Sequence, residues 1–212
     1  MDIIYISKHL NSHEKCIQYL EKKRWNNVPT CPYCGSKKSS PKKLRHTCLS
    51  CKNSYSVTVG TVFHSSNLPL QKWLLAICLI LSAKKGISAM QLSRDICVNK
   101  NTAWLLQMKI RKALDENNLE MLTSKYIPPI KERFKSRKFR GSSISRRVFT
   151  FKISDLVNRG IWTQLKRAVI GQYHQIDEYY LHRYVDELNF KCLVKGLPDR
   201  GYEILLSKML FG

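Results

Sequence analysis

Four of the chain's eight cysteines form two C-x-x-C pairs, which are separated by thirteen residues. Each C-x-x-C turn can present two thiolates from one tight loop, and two such loops complete the tetrahedral shell of a Zn²⁺ ion. The alternatives are a redox dithiol or two disulfides, but a redox C-x-x-C is normally single and lies near a βαβ pattern. We therefore predict a structural Zn²⁺ site with no open coordination position. Its ligands are Cys31, Cys34, Cys48 and Cys51.

The other four cysteines stand alone in apolar or helical stretches, where a free cysteine usually behaves as a small core residue. They are Cys16, Cys78, Cys97 and Cys192. This pattern is typical of a reducing compartment, so we expect a cytoplasmic protein. The N-terminus lacks the features of a signal peptide. The longest apolar run, Trp73 to Leu81, is too short to span a membrane, and we expect no membrane partner.

Positive charge dominates the composition, because 37 Lys and Arg stand against 15 Asp and Glu and give a formal net charge of +22. Such an excess repels itself in a compact chain unless a polyanion neutralises it. Nucleic acid is the favoured polyanion, and an anionic membrane surface is the weaker alternative. Part of the charge lies between the two cysteine pairs, where five cations could contact phosphate. They are Lys37, Lys38, Lys42, Lys43 and Arg45.

Capping residues and apolar periodicity predict the elements that position these groups. Ser12 is the expected N-cap of a short amphipathic helix that precedes the cysteine pairs. Strand-like residues 55–59 follow the second pair. A helix is then predicted from Pro69 at its first turn to Lys85, with Gly86 as its stop.

Two further helices have the length and the turn of a helix-turn-helix. Ser88 begins the first, with Gln91 three residues on as in a capping box. Residues 97–99 form the turn, and Asn99 caps a second helix that runs from Lys100 to about Glu116. A plain helical hairpin is the alternative that this segment alone leaves open.

In a helix-turn-helix, the second helix enters the major groove with its N-terminal residues toward base edges. Asn101 stands there and could make a paired contact to adenine, whereas cations later in the helix could reach phosphate. The predicted DNA-binding residues are Lys100, Asn101, Thr102, Lys109, Arg111 and Lys112.

Motifs at both ends of the chain carry a resemblance to a known family. They are Cys31-Pro32-Tyr33-Cys34-Gly35, the run from Tyr55 to Phe63, Leu70-x-x-Trp73, Lys84 to Ser88, Thr102-Ala103-Trp104, Gly160-Ile161-Trp162 and Leu181-x-Arg183-Tyr184. Together they resemble bacterial insertion-sequence transposases with an N-terminal zinc ribbon, a helix-turn-helix and a DDE catalytic domain of the RNase H-like fold. The resemblance covers about 12–116 and 160–190.

The resemblance implies a catalytic core that this sequence lacks. In the family, two Asp and a Glu hold two Mg²⁺ ions for DNA cleavage and strand transfer. Residues 117–159 are too few for that core, and Arg159 stands where the family has its glutamate. We therefore expect an internally deleted transposase with no catalytic residues, which would join a DNA-binding half to the tail of a lost catalytic half.

The expected fold is mainly α with a small β zinc ribbon, followed by a remnant of an RNase H-like α/β domain. We predict an N-terminal helix and zinc ribbon in 1–66, a helix-turn-helix region in 67–116, a basic linker or deletion junction in 117–159 and a C-terminal helical remnant in 160–212. Without the lost sheet, the apolar face of the helices in 160–190 has no predicted partner. We therefore expect weaker order there than in the N-terminal half.

The favoured function is an inactive, zinc-stabilised DNA-binding protein of an insertion sequence. Its partner would be double-stranded DNA at the terminal inverted repeats of its element, so the protein would associate with the nucleoid. A homo-oligomer is left open. A DDE transposase with rearranged carboxylates, which would need Mg²⁺, is the first alternative. An RNA-binding or protein-interaction module is the second. The rearranged carboxylates would be Asp155, Asp177, Glu178, Asp186 and Glu187.

Overall fold

A computed structural model of the chain describes residues 3–114, 159–173, 176–195 and 198–211. Two helices open it, α1 (Ile3–His9) and α2 (His13–Trp25). The predicted N-cap of α2 is confirmed, because the hydroxyl of Ser12 accepts a hydrogen bond from the Lys15 amide. This bond satisfies one of the amides that the first turn of a helix leaves without a partner.

A small antiparallel sheet follows α2, with the strand order β1-β2-β3. The strands are β1 (Ser39–Lys42), β2 (Arg45–Cys48) and β3 (Ser54–Tyr55). The predicted strand 55–59 is therefore wrong beyond Tyr55. The reason is that the carbonyls of Val57 and Val59 each accept a 2.7 Å hydrogen bond from the Arg24 guanidinium on α2. The chain turns there and does not extend the sheet.

Helix α3 (Leu70–Ser82) is the most buried helix of the N-terminal half, with Trp73 and Ile77 inside the core. It ends three residues before the predicted Lys85. Ala83 leaves the helix in an extended conformation, and its carbonyl accepts bonds from the Gly86 amide at 3.0 Å and the Lys191 ammonium at 2.9 Å. A partner from far along the sequence thus helps to end this helix.

Helices α4 (Ala89–Asp95) and α5 (Lys100–Lys112) pack against each other across the turn 96–99. Both predicted caps are confirmed, because Ser88 accepts a bond from the Gln91 amide and Asn99 accepts one from the Asn101 amide. Helix α5 ends at Lys112, earlier than predicted. The chain tightens there into bonds between residues three apart, such as that from the Leu114 amide to the Arg111 carbonyl.

The C-terminal residues form three helices and one π-helical turn. They are α6 (Arg159–Ala168), the π-helical turn Val169–Tyr173, α7 (Glu178–Leu193) and α8 (Pro198–Phe211). Asp177 caps α7 by accepting a 2.8 Å bond from the Tyr179 amide. Within the described residues, no helix is long and apolar enough to cross a membrane.

Among the described residues, the apolar side chains form one large core, a second core and a small cluster at the cysteines. The large core joins α1, α2 and α3 to α8, which lies against both α2 and α3. The second core joins α6 and α7 to Met108 of α5. The expectation that the helices in 160–190 lack a partner is therefore wrong, because α5 covers their apolar face. The predicted linker lies outside the described residues, except for Arg159 at its end.

Gly86 provides a test of how closely the C-terminal segment packs on the N-terminal half. Its φ of +80° is a left-handed conformation, and a Cβ added there would lie 2.0 Å from the hydroxyl oxygen of Tyr173. We expect Gly86→Ala to destabilise the protein by about 1–2 kcal/mol or more, because the strained backbone alone costs that much. Thermal unfolding would then shift downward by about 2–4 °C per kcal/mol.

The matched control is Gly171→Ala, since no atom lies within 4 Å of a Cβ added at Gly171. Its melting temperature should stay at the wild-type value or rise slightly. An unchanged melting temperature for Gly86→Ala would contradict the close approach of Tyr173.

Candidate metal centre and nucleic-acid interface

The four paired cysteines come together at one end of the sheet. Their Sγ atoms all lie within 4.8 Å of one another. The distance is 3.7 Å between Cys31 and Cys51 and 3.5 Å between Cys34 and Cys48. Four sulfurs around a tetrahedral Zn²⁺, with Zn–S bonds of about 2.3 Å, stand roughly 3.8 Å apart. The donor type and the spacing therefore both fit a structural zinc ion.

The two cysteine turns share one backbone conformation. The residue after the second cysteine of each pair is left-handed, with φ of +69° at Gly35 and +61° at Lys52. The Gly35 amide donates to the Cys31 carbonyl, and the Lys52 amide donates to the Cys48 carbonyl. Glycine adopts this conformation readily, whereas lysine must be held in it, so the second turn is the more strained of the two.

The thiols cannot all ionise at such short range without a cation between them. Backbone amides of Cys51 and Ser50 donate to the sulfur of Cys48 and lower its pKa to about 6. At Cys34 the amide of Ser36 favours the thiolate most strongly, but desolvation and the neighbouring thiols of Cys48, Cys51 and Cys31 together outweigh it and raise the pKa to about 12. The Cys48 thiol therefore ionises readily, whereas the Cys34 thiol beside it stays protonated. A divalent cation would remove this conflict.

A small aromatic cluster ties the metal site to α2. Tyr55 and Cys48 are fully buried, and Trp25 meets the ring of Tyr55 edge-on at 5.7 Å. His46 stacks on Tyr55, and its Nε2 lies 2.8 Å from a carboxylate oxygen of Glu21 on α2. These contacts join residues of two elements at no regular spacing, so no sequence pattern indicates them.

The side chains that the structure describes contain one group of three or more potential metal ligands, the four cysteines. Two carboxylates of the alternative DDE hypothesis have other roles. Asp177 caps α7, and Glu187 is buried in ion pairs with Arg111 and Lys191. Asp155 lies outside the described residues.

Helix α5 has three faces with different surroundings. One face enters the large core, and a second meets α6 and α7. The third is exposed to solvent. The first carries Ala103, Leu106 and Ile110, the second Trp104, Met108 and Arg111, and the third Asn101, Leu105, Lys109 and Lys112. We call this third set the exposed face of α5.

Five of the six predicted DNA-binding residues stand where a ligand could reach them. Lys100, Asn101, Lys109 and Lys112 are exposed, and Thr102 is half-buried. The prediction for Arg111 is wrong, because its side chain is fully buried between α5 and α7. Basic residues in the last turn of a helix usually reach solvent, so residue type and spacing did not indicate this burial.

Arg111 is held by several groups from the C-terminal segment. Its Nε donates to Glu187 at 2.6 Å, and a terminal nitrogen donates to the hydroxyl of Tyr173 at 3.2 Å. Its guanidinium lies 3.9 Å from the ring centre of Tyr184. Burial alone would raise the pKa of Glu187, but Arg111 and Lys191 outweigh it and keep that pKa below its usual value. Glu187 is therefore a buried carboxylate.

The segment that contains the metal site is also strongly basic. No acidic residue occurs between Glu21 and Asp95. The cations of the ribbon are all exposed: Lys37, Lys38, Lys42, Lys43, Arg45 and Lys52. The segment that contains the four cysteines thus presents positive charge with no carboxylate to neutralise it.

Comparisons with known proteins agree with this site. Residues 11–54 match the family model described as the transposase zinc-ribbon domain. A curated relative, an uncharacterized protein in the transposable element ISH50 of Halobacterium salinarum, is 28% identical over 109 residues. That match covers 49% of this chain and 36% of the relative, so the chain spans about a third of its length. No solved structure matches the chain significantly. The resemblance to insertion-sequence transposases is confirmed, and the internal deletion stays a prediction.

Metal analysis tests the cysteine cluster directly. We expect one Zn²⁺ per chain by native mass spectrometry, because four protein thiolates fill the coordination shell. Cys48→Ser should lose the metal and unfold the ribbon, since a module of this size has too small a core without it. Cys97→Ser is the control, because Cys97 is an exposed free cysteine outside the cluster, and it should keep its zinc. Stoichiometric zinc in Cys48→Ser would contradict the assignment.

Proposed function

We propose that this chain is a zinc-stabilised protein that binds double-stranded DNA at the terminal inverted repeats of an insertion sequence. The observation that carries the proposal is the exposed face of α5. Two faces of this helix are buried, so the helix is rigidly held, and the third presents an amide and two cations to solvent. Such a face can enter a major groove.

The turn before α5 supports this reading because it is firmly held. Asn99 caps the helix, and the ammonium of Lys72 on α3 donates to the Cys97 carbonyl at 2.8 Å. The N-terminal end of α5, where Asn101 stands, therefore has a fixed position relative to α3. Leu105 is 55% exposed in the middle of the same face. An apolar side chain in that position suits the methyl group of thymine.

The zinc ribbon would supply phosphate contacts in addition to those of this helix. Its exposed cations would neutralise phosphates whatever the base sequence, and this neutralisation makes binding depend on salt. The acid-free stretch from Lys22 to Arg94 contains both the ribbon and α3, whereas α4 ends on Asp95. We infer that the ribbon strengthens binding while the exposed face of α5 provides sequence preference.

We further propose that the chain does not cleave DNA. Arg159 stands at the position of the family's glutamate, and a cation there would repel Mg²⁺. Of the other carboxylates, Asp177 caps a helix and Glu187 is paired with two cations.

Inverted repeats are related by two-fold symmetry, so two copies of this chain could occupy one pair of element ends.

The exposed face of α5 can be tested by charge removal. We expect Lys109→Gln and Lys112→Gln each to weaken binding to a terminal-repeat duplex and to reduce the salt slope by about 0.9 for each phosphate contact that is lost. Fluorescence anisotropy over a series of salt concentrations measures both quantities. Lys8→Gln removes the same charge from the exposed α1 and is the control. Equal losses in all three variants would contradict a specific role for α5.

Asn101 offers a separate test of base recognition. Asn101→Ala should lower discrimination at a single adenine by about 1–3 kcal/mol, because a paired hydrogen bond to that base is removed. The salt slope should stay at the wild-type value, since the substitution changes no charge. Affinities for duplexes that differ by one base pair give the measurement. If Asn101→Ala retained the full wild-type preference, α5 would not be reading bases through this residue.

A further inference from the structure

The C-terminal segment covers α5 along the length of the helix. Near its N-terminal end, the ring of Trp104 meets the ring of Tyr180 of α7 at 5.4 Å. Near the C-terminal end of α5, Arg111 is paired with Glu187, which also belongs to α7. Helix α7 therefore lies alongside α5 and holds it at two separated points.

The same segment also contacts the connection that leads into α4. The ammonium of Lys191 donates both to Glu187 and to the carbonyl of Ala83, the residue that follows α3. The hydroxyl of Tyr173 lies where a side chain at Gly86 would have to stand. Glu187 is thus the centre of a network that reaches α5 through Arg111 and the α3–α4 connection through Lys191.

The chemistry of this network favours a role in alignment. Removing two opposite charges from water costs several kcal/mol for each ion, so a buried ion pair adds little stability compared with apolar residues of the same volume. A buried pair does distinguish between alignments, however, because both charges are satisfied only when the two helices stand in one register. Arg111 lies on α5, the helix that carries Asn101 and Lys109. The ion pair that aligns Arg111 with α7 therefore also fixes the orientation of Asn101 and Lys109.

We propose that Glu187 is a positioning residue for DNA binding, which holds the exposed face of α5 in its binding orientation through Arg111. This inference rests on the proposed function. Residues 159–193 would then be a working part of the DNA-binding unit. Neither Glu187 nor Arg111 would contact DNA itself, since both side chains are buried away from the exposed face.

The test is Glu187→Gln in the full chain, which keeps the shape of the side chain but leaves two buried cations without their counter-charge. The substitution raises the net positive charge by one, so general electrostatics predicts tighter binding. The proposal predicts the opposite, a loss of affinity for the terminal-repeat duplex of about tenfold or more at a temperature where the chain is fully folded.

Hydrogen exchange supplies a second readout that does not depend on DNA. In Glu187→Gln, backbone amides of α5 and of the α3–α4 connection should exchange faster, while the ribbon amides and the zinc content stay at wild-type values. Glu203→Gln is the control, because Glu203 is 60% exposed and pairs with Lys23 on the surface. It adds the same charge, so it should leave exchange in α5 unchanged and should not weaken DNA binding.

A rescue variant separates positioning from direct contact. Replacing the charged network by apolar residues, as Arg111→Met with Glu187→Leu and Lys191→Met, should restore slow exchange in α5 and most of the affinity for DNA. Tighter or unchanged binding by Glu187→Gln would overturn the proposal. So would a rescue variant with slow exchange but weak binding, since Arg111 would then be acting on DNA directly. If the wild type bound no duplex DNA, the proposed function would fail, and exchange in α5 would still decide whether Glu187 positions this helix.

Discussion

The burial of two faces of α5 is the constraint on which the rest of this molecule depends. One face completes the large core with α3, and the other completes a second core with α6 and α7. The N-terminal and C-terminal segments meet on this helix, as they also do where α8 packs against α2 and α3. Because both sides are covered, the exposed face is the side of α5 that the described residues leave open to a ligand. The zinc ribbon joins this body through α2, whose Arg24 and Trp25 contact the loop and the aromatic residues next to the cysteines.

The sequence predicted features that depend on neighbouring residues and missed those that depend on distant ones. The cysteine turns and the caps at Ser12, Ser88 and Asn99 are local, so residue type and spacing were enough. The strand predicted to reach residue 59 fails because Arg24 takes the carbonyls that a neighbouring strand would need. The exposed position expected for Arg111 fails for a similar reason, since Glu187 lies 76 residues away along the chain. Apolar periodicity identified one buried face of α5 but could not indicate a second face that is covered through an ion pair.

Charge and metal chemistry give the ribbon two separate properties. A metal ion in the sulfur cluster would stabilise its fold, because four adjacent thiols are stable as thiolates only around a cation. The absence of carboxylates between Glu21 and Asp95 makes its surface uniformly basic. A strongly basic surface and an exposed helix face are properties that suit a polyanion with a regular groove. The resemblance to a protein of a transposable element is consistent with such a partner, and the match covers 36% of that relative.

The central claim is that the exposed face of α5 lies against duplex DNA. Lysine-reactivity footprinting tests it most directly, by comparing the methylation rate of each lysine with and without a terminal-repeat duplex by mass spectrometry. The account predicts strong protection of Lys100, Lys109 and Lys112 and none of Lys8, which is exposed on α1. Unchanged reactivity of the α5 lysines in a saturated complex, with protection elsewhere, would contradict it.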